Sequence, residues 1–202
     1  MQYSFEVNFR LYPSTLTVFI YESNNVPTPF EQVVVSRKLA LSCLSFHDVQ
    51  ASIVNLGKTI YGKPQLRWTN EFVYFNISHT QKITVATASK LPVGIDIELS
   101  DRIQESEIET LSRYLFNSSL DAERLLTLNS MTELWVIKEA VLKASGYGLW
   151  GGLKNIDIHM DITGNGTALH NDKKYEISIV SIKEFTVALA IQMEEAIFSG
   201  SY

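Results

Sequence analysis

The first half of the chain opens on alternation. Residues 3–12 and 16–21 alternate apolar and polar side chains and are rich in aromatics, the pattern of strands with one buried face. Residues 22–30 (ESNNVPTPF) are turn-like. Over 31–57 the apolar spacing lengthens toward a helical period. Val34, Leu41, Leu44, Ile53, Val54 and Leu56 form the expected buried side, and Gly57 the stop. Tyr61-Gly62-Lys63-Pro64 reads as a turn, followed by a strand over 72–78. Two more strand patterns, 83–89 and 93–99, flank a short Lys-Leu-Pro connection. An acidic helix is predicted over 101–116 and a second helix over 132–145; strands return at 155–162, 175–182 and 185–192.

Strands and helices in this mixture predict an α+β fold. A short internal echo adds a hint about its organisation. KITVATAS (82–89) and EFTVALAI (184–191) each carry a Thr-Val-Ala core in a hydrophobic strand. Such an echo would suit two related α+β halves, and the expected division is 1–97 and 98–202.

Composition narrows the setting. The chain has 202 residues, 46% hydrophobic and 19% charged, enough for a sizeable core without a disulfide. Its single cysteine, Cys43, has no internal partner, which favours a reducing compartment. The N-terminus lacks a basic segment leading into an apolar run, and no apolar stretch approaches the roughly 18 residues of a membrane span. A cytoplasmic protein with no membrane partner is expected. Seventeen basic and 22 acidic residues give a net charge of −5, unlike the basic stripe of a nucleic-acid binder. Such a chain can bind a polyanion only through a local basic pocket or a metal ion.

Three segments carry candidate chemistry. In Val93-Gly94-Ile95-Asp96-Ile97-Glu98, strand alternation puts Val93, Ile95 and Ile97 on one face and Gly94, Asp96 and Glu98 on the other. The two carboxylates lie about 7 Å apart along the strand, close enough to share a hard cation such as magnesium. Gly94 clears room beside them. A solvated acidic face would give the same pattern.

Ser130-Met131-Thr132-Glu133 fits a capping box, and Gly146 marks the end of the helix that follows. Leu134, Ile137, Val141 and Ala144 form its buried stripe, leaving Glu139 and Lys143 one turn apart on the far side. That spacing also suits an ordinary surface ion pair, but Trp135 lies toward the same side and implies a covered face. Finally, Asn76-Ile77-Ser78-His79-Thr80 ends a strand in hydrogen-bonding side chains, where Ser78 and His79 are possible phosphate donors.

Taken in order, these segments resemble the Sfp-type 4′-phosphopantetheinyl transferases. Residues 76–80 are similar to that family's Asn-Leu-Ser-His-Ser segment, and 93–98 to its carboxylate motif. Residues 135–143 are similar to its Trp/Phe-x-x-Lys-Glu-Ser/Ala-x-x-Lys motif. Gly62-Lys63-Pro64 and Gly146-Tyr147-Gly148-Leu149 add to the resemblance, which covers about residues 61–149. It implies a pseudo-dimer of two α+β halves with the active site between them, acting as a monomer. It also implies a holo-[acyl-carrier-protein] synthase reaction: the phosphopantetheine arm of coenzyme A passes to a serine of an apo acyl- or peptidyl-carrier protein, and 3′,5′-ADP leaves.

The implied roles follow residue by residue. Asp96, Glu98 and Glu139 would hold magnesium. Lys63, Ser78, His79 and Lys143 would bind phosphates, with Lys138 a weaker candidate. Glu139 would serve as base, and Lys143 would assist the departing phosphate. The first sixty residues offer Arg10, Arg37, Lys38 and Lys58 to the nucleotide, and of these Arg37 is the expected contact. A metal-dependent phosphohydrolase, or a carrier-binding module without turnover, are the competing readings.

Overall fold

The computed structural model describes residues 3–11, 14–68, 72–127, 129–148 and 152–194, with side chains from residue 16 onward. The Arg10 side chain and Leu149 lie outside the described residues. In chain order the elements are β1 (Tyr3–Leu11), β2 (Ser14–Glu22), α1 (Pro29–Phe46), β3 (Leu56–Lys58), β4 (Pro64–Leu66), β5 (Tyr74–Thr80), β6 (Ile83–Ser89) and β7 (Val93–Leu99). There follow α2 (Glu105–Leu115), α3 (Ser119–Leu126), α4 (Met131–Ser145), β8 (Asp157–Met160), β9 (Asn165–His170), β10 (Lys173–Ile182) and β11 (Phe185–Gln192).

An α+β fold results, as expected. One antiparallel sheet has the order β1-β2-β6-β5, a second has β7-β11-β10-β9-β8, and β3 and β4 form a small hairpin. Strand alternation explains how these layers stack. Leu16, Val18 and Ile20 of β2 and Ile83 and Val85 of β6 point into a central core. There they meet Val93, Ile95 and Ile97 of β7 and Phe185, Val187, Leu189 and Ile191 of β11. The opposite face of β6 offers Ala86 and Ala88 to Leu39, Ala40, Cys43 and Leu44 of α1. The opposite face of β11 offers Ala188 and Ala190 to α4. Large residues fill the space between the sheets, and small ones let the helices close in.

The Thr-Val-Ala echo occupies matching places. Thr80 pairs with Ile83 across the β5–β6 turn, and Ile182 pairs with Phe185 across the β10–β11 turn. Gln81 and Lys183 both take positive φ there, 44° and 55°. By hydrogen bonding, β7 belongs to the second sheet from Val93 onward, so the change of sheet falls at residues 90–92; the expected division at 97/98 cuts through that strand.

Two expectations about elements need correction. The helix predicted over 31–57 stops at Phe46: Asp48 turns left-handed (φ 60°), and the N–H groups of His47 and Val49 both donate to the Leu44 carbonyl. Ile53 and Val54 then fall in a single 3₁₀ turn and are exposed, not buried. Strand β9 and helix α3 were not foreseen.

Helix α4 begins with its capping box: Glu133 N–H donates to Ser130 Oγ, and Ser130 N–H to Glu133 Oε2. It ends at Gly146 with φ 83°, a conformation that favours glycine. The Leu134, Ile137, Val141 and Ala144 stripe is buried as expected, but burial continues around the helix to Val136, Lys138, Ala140 and Leu142. The cause lies on both flanks: Ala140 meets β7 at Gly94, while Phe116 closes over Lys138 and joins Leu115 of α2 and Ala122 and Leu125 of α3 in the same core. No helix among the described residues is long and apolar enough to cross a membrane.

Lys138 shows what that covering does. The resemblance offered it to the nucleotide, but the structure turns it the other way. The residue is 1% exposed, and its ammonium donates to the Leu153 and Ile156 carbonyls at 2.9 and 2.8 Å, over the Phe116 ring. Burial pulls its pKa down to about 8, partly opposed by Asp157 and Asp121. The unfolded value is about 10.4. Between the two values the unfolded chain holds a proton that the folded chain has released, so this residue makes stability rise with pH there. The wild type is therefore expected to gain stability relative to Lys138→Met as pH rises across that window. Urea titrations at several pH values would show it, and a constant difference would refute it.

Candidate functional site

The site lies where the two sheets meet. Edge strands β5 and β7 run side by side in the same direction without a backbone hydrogen bond between them, joined instead by side chains. Asn76 Oδ1 accepts from the Ile95 N–H at 3.1 Å. Ser78 Oγ donates to Asp96 Oδ1 at 2.7 Å, and Thr80 Oγ1 to Glu98 Oε2 at 3.1 Å. Alternation on β5 makes this possible, because Asn76, Ser78 and Thr80 share a face while Phe75 and Ile77 turn toward α1.

Gly94 lets α4 reach the same seam. A Cβ at this position would lie 2.0 Å from the Ala140 carbonyl oxygen and 2.5 Å from the Ala144 nitrogen. The room expected beside the carboxylates is thus filled by helix backbone, not by a ligand. That close approach brings Lys143 Nζ to 2.5 Å from Asp96 Oδ1 and 2.9 Å from Ser78 Oγ. Glu98 meets Arg102 Nε at 3.3 Å, and the Arg102 guanidinium sits 5.4 Å over the Trp135 ring. Glu139 is half-buried. Burial raises its pKa most, and the Asp96 charge raises it further; Lys143 acts in the opposite sense, Glu98 adds to the rise, and Arg102 opposes it.

These couplings place Asp96, Glu98 and Glu139 in one electrostatic neighbourhood. Their oxygens do not yet converge. Among the described residues no three His, Cys, Asp or Glu side chains form a ready metal-binding group. Asp96 and Glu98 turn instead to Lys143 and Arg102. As a donor set, three oxygen acids with only two side-chain cations among them suit a hard cation.

Beside this cluster opens a cleft of about 650 Å³ between α1, the β3–β4 hairpin, β5 and the end of α4. Arg37, Lys58, Lys63, His79 and Lys143 line it, and among the described residues no carboxylate does. Val33, Leu56, Tyr61, Phe75 and Leu142 supply apolar wall. Lys63 Nζ donates to the Ala144 carbonyl at 2.6 Å, bridging the hairpin to the C-terminus of α4. Burial, helped by Lys173, draws its pKa down to about 8. His79 stands exposed at the rim, its pKa lowered by partial burial and then by the Lys143 charge.

Of the residues expected from sequence, Arg37, Lys63, His79 and Lys143 thus share one cleft. Ser78 lies behind its wall, 7% exposed, with its hydroxyl committed to Asp96 and Lys143. Lys138 is absent from the site. Lys58 lines the cleft though Arg37 alone was singled out from the N-terminal cations. Thr80 and Arg102 were not singled out at all. Arg102 stands four residues after Glu98, but the pair spans a strand end and a turn, where the helical i, i+4 rule gives no signal.

The sequence profile of the 4′-phosphopantetheinyl transferase superfamily matches residues 92–190. Residues of this chain are 31% identical over 97 positions to the holo-[acyl-carrier-protein] synthase of Campylobacter fetus subsp. fetus, covering 84% of that protein and 45% of this one. The chain belongs to the 4′-phosphopantetheinyl transferase superfamily. Other similar members are larger. The 4′-phosphopantetheinyl transferase gsp of Aneurinibacillus migulanus is 35% identical over 97 residues, which are 46% of this chain and 38% of the relative. The 4′-phosphopantetheinyl transferase psf-1 of Bacillus pumilus is 30% identical over 112 residues, 52% and 46% respectively. The chain thus spans less than half the length of these two superfamily members.

Proposed function

We propose that this protein transfers the 4′-phosphopantetheine arm of coenzyme A to a serine of an apo acyl- or peptidyl-carrier protein, releasing 3′,5′-ADP, with magnesium as cofactor. The observation that carries the reading is the cleft. In a chain of net charge −5, five cationic or titratable side chains line one cavity that no carboxylate of the described residues enters, and one of them, Lys143, pairs with Asp96. Such focusing suits a polyphosphorylated ligand. Both walls come from one chain, which fits a monomer.

Arg37, Lys58, Lys63 and His79 hold the nucleotide's phosphates, and the apolar wall takes its base. Lys63, with its pKa near 8, regains full charge when a phosphate replaces the Ala144 carbonyl as its partner. Asp96, Glu98 and Glu139 would hold magnesium, which when bound neutralises charge on the phosphate oxygens. The serine oxygen attacks the β-phosphorus and the bond to the nucleotide's phosphate breaks. The serine proton passes to Glu139, which burial and the neighbouring Asp96 charge make more basic than an ordinary glutamate. The Lys143 ammonium stabilises the leaving phosphate. Positioning and electrostatics supply most of the rate enhancement. The enzyme would act in the cytoplasm, where coenzyme A and carrier proteins meet.

Intact mass spectrometry of an apo carrier protein, after incubation with this protein, coenzyme A and magnesium, tests the proposal. One added phosphopantetheine arm is expected, and none when EDTA is present. Coenzyme A cleaved without any gain on the carrier would replace the transferase by a hydrolase.

A further inference from the structure

The seam between β5 and β7 assigns work to a residue outside the cleft. Asp96 and Glu98 stand two apart on one face of β7, so their charges repel. Glutamate, with three side-chain torsions, is free to swing away from such a neighbour unless something holds it. Both Glu98 oxygens are held: Oε2 by the Thr80 hydroxyl at 3.1 Å, Oε1 by Arg102 at 3.3 Å. The two restraints differ in quality. The Arg102 side chain is 44% exposed, and an ion pair open to water constrains little. Thr80 belongs to a paired strand, facing Ile83 across the hairpin, and its β-branched side chain is stiff about χ1.

We propose that Thr80 is a positioning residue, fixing Glu98 relative to Asp96 so that the carboxylates can take up a divalent cation. The inference rests on the cation role given to these carboxylates above. Ser78 does the same for Asp96 one step earlier along the strand, and Asn76 sets the register by holding the Ile95 N–H. The strand that carries the acids is therefore aligned by alternate side chains of its neighbour. Thr80 is the member of this series aimed at Glu98, and it does not line the cleft.

Isothermal titration with Mn²⁺ alone, without coenzyme A, tests this. The proteins are wild type, Thr80→Val, Thr80→Ser, Glu98→Gln and the Thr80→Val/Glu98→Gln double variant. Valine keeps the shape and removes the donor; serine keeps the donor. Loss of a group that orients a metal ligand typically costs about 10-fold or more in affinity. Thr80→Val is expected to show that loss, Thr80→Ser to restore binding, and the double variant to match Glu98→Gln alone. Equal Mn²⁺ affinity in wild type and Thr80→Val, or an undiminished Thr80→Val effect in the Glu98→Gln background, overturns the positioning role and leaves the carboxylate site standing. No Mn²⁺ binding by the wild type overturns the carboxylate site itself, and the positioning role with it. Thermal unfolding of each variant separates a lost contact from a lost fold.

Discussion

Asp96→Asn is expected to lower phosphopantetheinyl transfer by about a thousandfold, equivalent to about 4 kcal/mol of transition-state stabilisation. Asparagine keeps the shape of aspartate, and its carbonyl oxygen can still accept from Ser78. What disappears is the charge. Asp96 is 5% exposed and sits where Ser78 and Lys143 converge, so its negative charge is both the counter-charge for Lys143 and part of the proposed cation site. With it neutralised, a cation loses a ligand in a sheltered place where each charge counts for several kcal/mol. Glu139 also loses the repulsion that helps keep its pKa high, and so becomes a weaker base. Single-turnover mass spectrometry at saturating coenzyme A would measure the loss, with thermal unfolding to confirm the fold. Turnover like that of the wild type would remove Asp96 from the chemistry.

The second large effect concerns architecture. Gly94→Ala adds a single methyl group, yet its carbon would lie 2.0 Å from Ala140 O and 2.5 Å from Ala144 N. Both are helix backbone atoms, so no side-chain rotation relieves the collision. Either α4 lifts from β7 or the strand bends. Overpacking of this kind costs about 3 kcal/mol or more, a large share of a domain's usual stability of about 5–15 kcal/mol. Lifting α4 would also draw Lys143 away from Asp96. A fall in the urea midpoint, with transfer reduced even in the folded fraction, is the expected result. An unchanged midpoint would show that helix and strand can separate more easily than their packing implies.

How much of this was legible beforehand differs by element. Strand β7 and helix α4 announced themselves because alternation and a capped helical period are local properties. Helix α1 was drawn too long because apolar spacing continues through Ile53 and Val54. Nothing in that spacing shows that Asp48 turns left-handed or that the two residues face water. Strand β9 escaped notice since NGTALH alternates weakly. Its pairing with β10 relies on the turn at Asn171 and Asp172, both at positive φ, and that dipeptide was the available signal. Helix α3 is only eight residues long, capped by Ser118.

The site divides in the same way. Lys63, His79 and Lys143 belong to motifs, Arg37 only to the cations of the first sixty residues, and all four face one cleft. Lys138 sits in the same motif as Lys143 but is carried by the helical twist onto the opposite side, where it serves the carbonyls of residues 153 and 156. Thr80 could not be paired with Glu98 in advance. Their contact crosses two different sheets, and neither periodicity nor spacing encodes which edge strands will lie together.

The central core has one more consequence. Its side chains are drawn about equally from the two sheets, from Val18, Ile20 and Val85 on one side and Ile95, Val187 and Leu189 on the other. A polypeptide ending after β6 would expose that apolar face together with the unpaired edge of β5, and both invite self-association. The halves resemble each other in their hairpins, and each also packs its own helix against the outer face of its sheet. The core between the sheets belongs to both, so the halves should gain and lose structure together, and a cut between them would leave two sticky fragments rather than two small domains.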